Sequence, residues 1–126
     1  MSTKKDVLLF LTRLKIIAGK SFDFVWTEKN KDAMICLGYT STRDILPHIF
    51  ALTIQDYVDG PCLDRDTNYP DPVWIFAPTI EQTTFYIKLK IIGNQVRCLS
   101  FHEAEKSISR YPFRKNPPSE RRMDND

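Results

Sequence analysis

The chain reads as an α+β domain in which N-terminal helices pack on one face of an antiparallel β-meander. Three observations predict this. Apolar residues recur at helical spacing through much of the first half, from Val7 to Leu52. Three runs rich in β-branched and aromatic residues follow, at Val73–Phe76, Thr84–Ile92 and Gln95–Phe101. Turn-like segments separate them, Ala77–Gln82 and then Gly93-Asn94, where glycine supplies the positive φ that a tight hairpin demands.

Taken in order, Thr3-Lys4-Lys5-Asp6 forms a capping box that opens a first helix. Val7, Phe10, Leu11, Leu14, Ile17 and Ala18 make its apolar stripe, and Gly19 ends it. Phe22–Trp26 alternates weakly and reads as a short strand. From Thr27 the pattern is helical again, with Ala33, Met34 and Leu37 clustered before Gly38. Ser41-Thr42-Arg43-Asp44 is a second capping box, followed by Ile45, Ile49 and Leu52 at helical spacing. Pro47 sits inside that run and predicts a kink or two short helices, because proline lacks the amide donor. His48 beside it reads as a surface residue. Thr53–Tyr57 adds one helical turn. Asp59–Pro72 then carries three prolines and four aspartates and reads as one irregular loop, either functional or a simple crossover.

In the central run Phe85, Ile87, Leu89 and Ile91 point one way, and Tyr86, Lys88 and Lys90 the other. The apolar set should lie under the first helix, leaving Lys88 and Lys90 in solvent. A two-residue turn at Gly93-Asn94 pairs Lys90 with Arg97, Lys88 with Leu99 and Tyr86 with Phe101. The open face would then carry Tyr86, Lys88, Lys90, Arg97 and Phe101. Cations interleaved with aromatic rings suit single-stranded RNA, because phosphates meet the cations and bases stack on the rings. On composition alone, an ordinary solvated sheet face is the commoner origin of such lysines. Lys90 opposite Arg97 counts against that, since like charges facing each other destabilise a sheet.

His102 is the histidine nearest this sheet, and an imidazole is the natural proton shuttle near neutral pH. In the simple register it faces Phe85 on the buried side; a bulge, a longer turn or a strand ending at Phe101 would bring it to Tyr86. His102, Glu103, Glu105 and the loop aspartates could instead hold Mg²⁺ or Mn²⁺, although their spacing matches no metal motif. No glycine-rich phosphate loop, nucleophile elbow or dinucleotide fingerprint is present, and no cofactor is implied.

The 126 residues suggest one domain over residues 1–115 and a disordered polar tail over 116–126. A net charge of +2 excludes a grossly basic nucleic-acid binder and leaves a local basic patch open. Cys36, Cys62 and Cys98 are odd in number and widely spaced, which points to reduced thiols in a cytoplasm. No apolar run is long enough to span a membrane.

The element order resembles the MqsR family of toxins from bacterial toxin–antitoxin modules. The likeness runs from Val7 to Phe113 through Leu37-Gly38, Leu52, Asp56-Tyr57, Val73-Trp74, Tyr86-Ile87-Lys88 and Ser100-Phe101. It implies a RelE-like fold and a metal-independent endoribonuclease that cleaves messenger RNA and is neutralised by an antitoxin, expected from the adjacent gene. The family's Tyr-x-Lys strand falls on Tyr86 and Lys88, and its lysine after Ser-Phe falls on His102. The glutamine after its tryptophan falls on Ile75, and the lysine near the end of its preceding helix has no clear counterpart around Asp56–Asp59. Joined to the residue reading, the expected catalytic set is His102, Tyr86 and Lys88, with Lys90, Arg97 and Phe101 binding RNA. A non-catalytic nucleic-acid- or protein-binding module on the same fold is the alternative.

Overall fold

A computed structural model describes residues 2–114. The segment expected to be a disordered tail, 116–126, lies outside the described residues. The class is α+β, with three α-helices and a mixed sheet among the described residues.

Helix α1 spans Lys4–Ala18 and opens on the expected capping box, in which Thr3 and Asp6 exchange side-chain and backbone hydrogen bonds. Its buried stripe is Val7, Phe10, Leu11, Leu14 and Ala18. Strand β1 is Phe22–Phe24. Helix α2 spans Glu28–Leu37, is capped by Thr27 and ends at Gly38, whose φ of 76° is left-handed. Ser41 caps a 3₁₀ turn at Thr42–Asp44. Helix α3 covers Leu46–Phe50 with Pro47 in its first turn, where a missing amide costs nothing. Pro47 therefore starts a helix and does not kink one, and the run forms two short helices, the second of the two expected outcomes. His48 is half-buried, its Nε2 hydrogen-bonded to the Tyr39 hydroxyl, which corrects its expected place on the surface.

The expected loop over Asp59–Pro72 is only partly irregular. Strand β2 takes Tyr57–Cys62 and pairs with β3, Val73–Phe76, so the irregular part shrinks to residues 63–72. Strand β4 is Thr79–Ile80, β5 is Thr83–Ile92 and β6 is Gln95–Glu103. The sheet order is β1-β6-β5-β3-β2, with β4 turning back onto β5. The β2, β3, β5 and β6 pairings are antiparallel, as the meander requires, but β1 joins the edge of β6 in parallel and makes the sheet mixed.

Phe76, Phe85, Ile87, Leu89, Val96, Cys98 and Phe101 are buried in one core with the α1 stripe, and Ile91 packs at its margin. The Phe10 ring stacks on Trp74 at 4.2 Å between centroids, seating α1 on β3. Among the described residues, no helix is long and apolar enough to cross a membrane.

Candidate functional site

The register of the β5–β6 hairpin decides which side chains share the open face. Gly93 has a φ of 57° and the turn has two residues, so Ile92 pairs with Gln95 and Lys90 with Arg97 as expected. Between Lys88 and Leu89 the register shifts: Leu89 pairs with Cys98 but Lys88 pairs with Ser100. Leu99 is the extra residue of a β-bulge. Every later residue of β6 is thereby turned over. Tyr86 faces His102, and Ile87 faces Phe101. Phe101 is fully buried under the helices, which overturns its expected role in stacking on RNA.

The bulge is held by Asn30 in the first turn of α2. Its Nδ2 donates to the Leu99 carbonyl at 3.0 Å and to the Val25 carbonyl at 2.7 Å. Its Oδ1 accepts from the Phe101 amide at 2.9 Å. Asn30 has no exposed surface, and its bond to the Phe101 amide satisfies a group that is itself buried. The sequence reading missed this residue; a lone asparagine near a helix start looks like ordinary capping chemistry.

Tyr86 and His102 are half-buried and stacked, with ring centroids 5.7 Å apart at 27°. His102 Nδ1 lies 2.9 Å from the backbone oxygen of Glu103. A carbonyl only accepts, so Nδ1 carries the proton and the neutral ring presents a lone pair at Nε2. Burial, and then the nearby Cys62 and Asp59, push the Tyr86 hydroxyl above its ordinary pKa, so at neutral pH it is a hydrogen-bond donor. Both rings border a groove of about 370 Å³ that also includes Lys29, Glu105, Lys106 and Ser107. Lys29 and Glu105 form an ion pair at 2.7 Å across its rim, which holds the Glu105 carboxyl below the usual range. Lys88 follows two residues along β5, between Ile75 and Ser100, and has no ion-pair partner among the described residues.

Lys90 is not on the open surface. Its side chain is 1% exposed and is covered by residues 63–72, with Nζ bound to the Asp64 carboxylate and the Tyr69 carbonyl. The expectation that Lys90 reaches solvent is therefore wrong. Alternation told apart the two faces of β5 but not what lies over each. Arg97 is half-buried, with Nε donating to Asp23 at 2.9 Å and its guanidinium over the Tyr69 ring at 4.8 Å. The like charges of Lys90 and Arg97 are thus each offset by a carboxylate.

The other histidine, His48, sits on the helix side with its ring 5.9 Å from Phe101, and burial lowers its pKa. It is separated from the groove by the sheet. Among the described residues no three His, Cys, Asp or Glu side chains gather closely enough to hold a metal ion. No family model, curated protein or solved structure matches this chain.

Proposed function

We propose that this chain is a metal-independent endoribonuclease of RelE-like architecture, acting as the MqsR-like toxin of a toxin–antitoxin module in the cytoplasm. The observation that carries the reading is the cross-strand pair of Tyr86 and His102, stacked on the open face beside Lys88, which has no ion-pair partner among the described residues. Cleavage by the neighbouring 2′-hydroxyl needs a base for its proton, an acid for the departing 5′-oxygen and cations for the charge on phosphorus. His102 Nε2 takes the 2′-hydroxyl proton. The 2′-oxygen bonds to phosphorus, the bond to the 5′-oxygen breaks, and a proton delivered to that oxygen completes a 5′-hydroxyl. The products are a 2′,3′-cyclic phosphate and that hydroxyl end. The Tyr86 hydroxyl donates to the phosphoryl group or to the departing oxygen, and Lys88 and Lys29 balance the developing charge. A cognate antitoxin from the adjacent gene would cover this face.

The test is incubation of the purified chain with single-stranded RNA in EDTA. Cyclic-phosphate ends are expected, and His102→Ala should lose ~10²–10⁴-fold in rate with folding intact. Undiminished cleavage by that variant refutes the assignment of His102. Cleavage that EDTA abolishes and Mg²⁺ or Mn²⁺ restores moves the chemistry to carboxylates. RNA binding without cleavage assigns the chain to the non-catalytic module.

A further inference from the structure

The open face of β5 and β6 carries three successive cross-strand rows: Tyr86 with His102, Lys88 with Ser100, and Lys90 with Arg97. Same-face residues two apart on a strand are separated by about 7 Å. The rows therefore form a continuous track from the stacked rings to two cations. Residues 63–72 close the cationic end of that track. Each cation there already holds a group that resembles part of a nucleotide. Lys90 Nζ holds one anionic oxygen of the Asp64 carboxylate, and the Arg97 guanidinium lies over an aromatic ring, Tyr69, at 4.8 Å from its centroid.

Little else fastens this strap. Leu63 is 95% exposed, Tyr69 is 43% exposed, and most of the remaining strap residues also face solvent. Its internal hydrogen bonds are local: the Asp66 amide donates to the Asp64 carboxylate, and the Asn68 and Tyr69 amides donate to the Asp66 carboxylate. Its own turns can persist when it lifts, so the contacts to Lys90 and Arg97 are what hold it down. A wholly buried ammonium must keep an anion or meet water, so the partner able to take the place of Asp64 on Lys90 is another anion.

We propose that Lys90 and Arg97 form a phosphate-and-base subsite for single-stranded RNA, which the strap occupies with Asp64 and Tyr69 until RNA displaces it. This rests on the reading of the open face as an RNA site. The strap competes with RNA for the same two cations, so apparent affinity is reduced by the fraction of molecules in which it is closed.

The experiment uses the full chain and a fluorescent single-stranded oligoribonucleotide with 2′-O-methyl sugars, which binds without being cleaved. Asp64→Asn combined with Tyr69→Ala removes both stand-in groups, and fluorescence anisotropy should report binding about tenfold tighter or more. The unaltered chain supplies a second measurement, independent of how the variant folds. Trypsin cleavage after Arg65, in the strap, should accelerate when the oligonucleotide is added. Equal or weaker binding by the variant, or cleavage after Arg65 that is unchanged or slowed by the oligonucleotide, overturns the proposal. Because the sugar is blocked, both readouts are independent of catalysis. A chain that cleaves ordinary RNA but fails here keeps its ribonuclease reading and loses the strap. A chain that passes here but cleaves no RNA keeps the subsite and loses the ribonuclease.

Discussion

Replacing Asn30 by alanine should do more damage than the loss of one polar side chain from a helix ordinarily does. The side chain is fully buried, and it is bonded to the Leu99 carbonyl and the Phe101 amide on either side of the bulge. Alanine leaves both groups without that partner. A buried polar group left unsatisfied costs about 1–3 kcal/mol, which the buried Phe101 amide incurs in full and the half-buried Leu99 carbonyl in part. The Val25 carbonyl adds little, since the Thr27 amide already donates to it at 3.1 Å. The strand can escape this cost by sliding one residue and erasing the bulge. That slip turns Phe101 out to solvent, at about 1.5–3 kcal/mol for the lost burial, and turns His102 under the helices. Either route lowers stability by at least about 1 kcal/mol, or roughly 4 °C in melting temperature for a domain of this size. Urea and thermal unfolding measure the loss, and hydrogen exchange at the Phe101 amide reports the bond itself. A loss under about 0.5 kcal/mol with that amide still protected would refute the assignment of the bulge to Asn30.

Three further predictions come from other parts of the molecule. Glu81 and Gln82 have φ of 50° and 64° in the two-residue turn between β4 and β5, a conformation that Asn-Gly adopts with less strain. Replacing them with Asn-Gly should stabilise the chain by about 1 kcal/mol, and an unchanged urea midpoint would show that the turn stores no strain. The Lys90 ammonium, and then the Asp66 amide, hold the Asp64 carboxyl below its usual 3.8. The native pKa is the depressed one, so the stabilisation that Asp64 gives is full above about pH 3.8 and fades as pH falls through the lower native value. The stability gap between the unaltered chain and Asp64→Asn should therefore narrow in strong acid, and a gap constant down to pH ~2 would contradict the ion pair. Lys88→Ala should weaken RNA binding across sequences and reduce the slope of log affinity against log salt by about 1, whereas an unchanged slope would exclude a phosphate contact.

Of the six expected site residues, Tyr86, His102 and Lys88 lie together on the open surface. Phe101 is in the core, Lys90 is beneath the strap, and Arg97 is shared between Asp23 and Tyr69. The chemistry is thus concentrated at the groove end of the track, and the binding cations at its far end are already occupied.

What the sequence determined by itself is what short-range chemistry dictates. The capping boxes at Thr3 and Ser41 join groups three residues apart, and the hairpin turn needs only a glycine with positive φ between two strands. The apolar stripe of α1 and the alternation at Phe85, Ile87 and Leu89 follow from helix and strand periods, so the main core was legible too. Tertiary structure decided what periodicity cannot carry. A single inserted residue reverses every side chain beyond it, and the group that stabilises the insertion at Leu99 is an asparagine 69 positions away. The exposure of Lys90 depended on a carboxylate 26 positions away folding over it. The parallel edge strand β1 rests on contacts of the same kind: the Val96 amide donates to the Ser21 carbonyl, and Arg97 Nε donates to Asp23, 74 positions away. Alternation assigns a residue to a face of the sheet; only distant parts of the chain, brought together by folding, determine whether that face meets water.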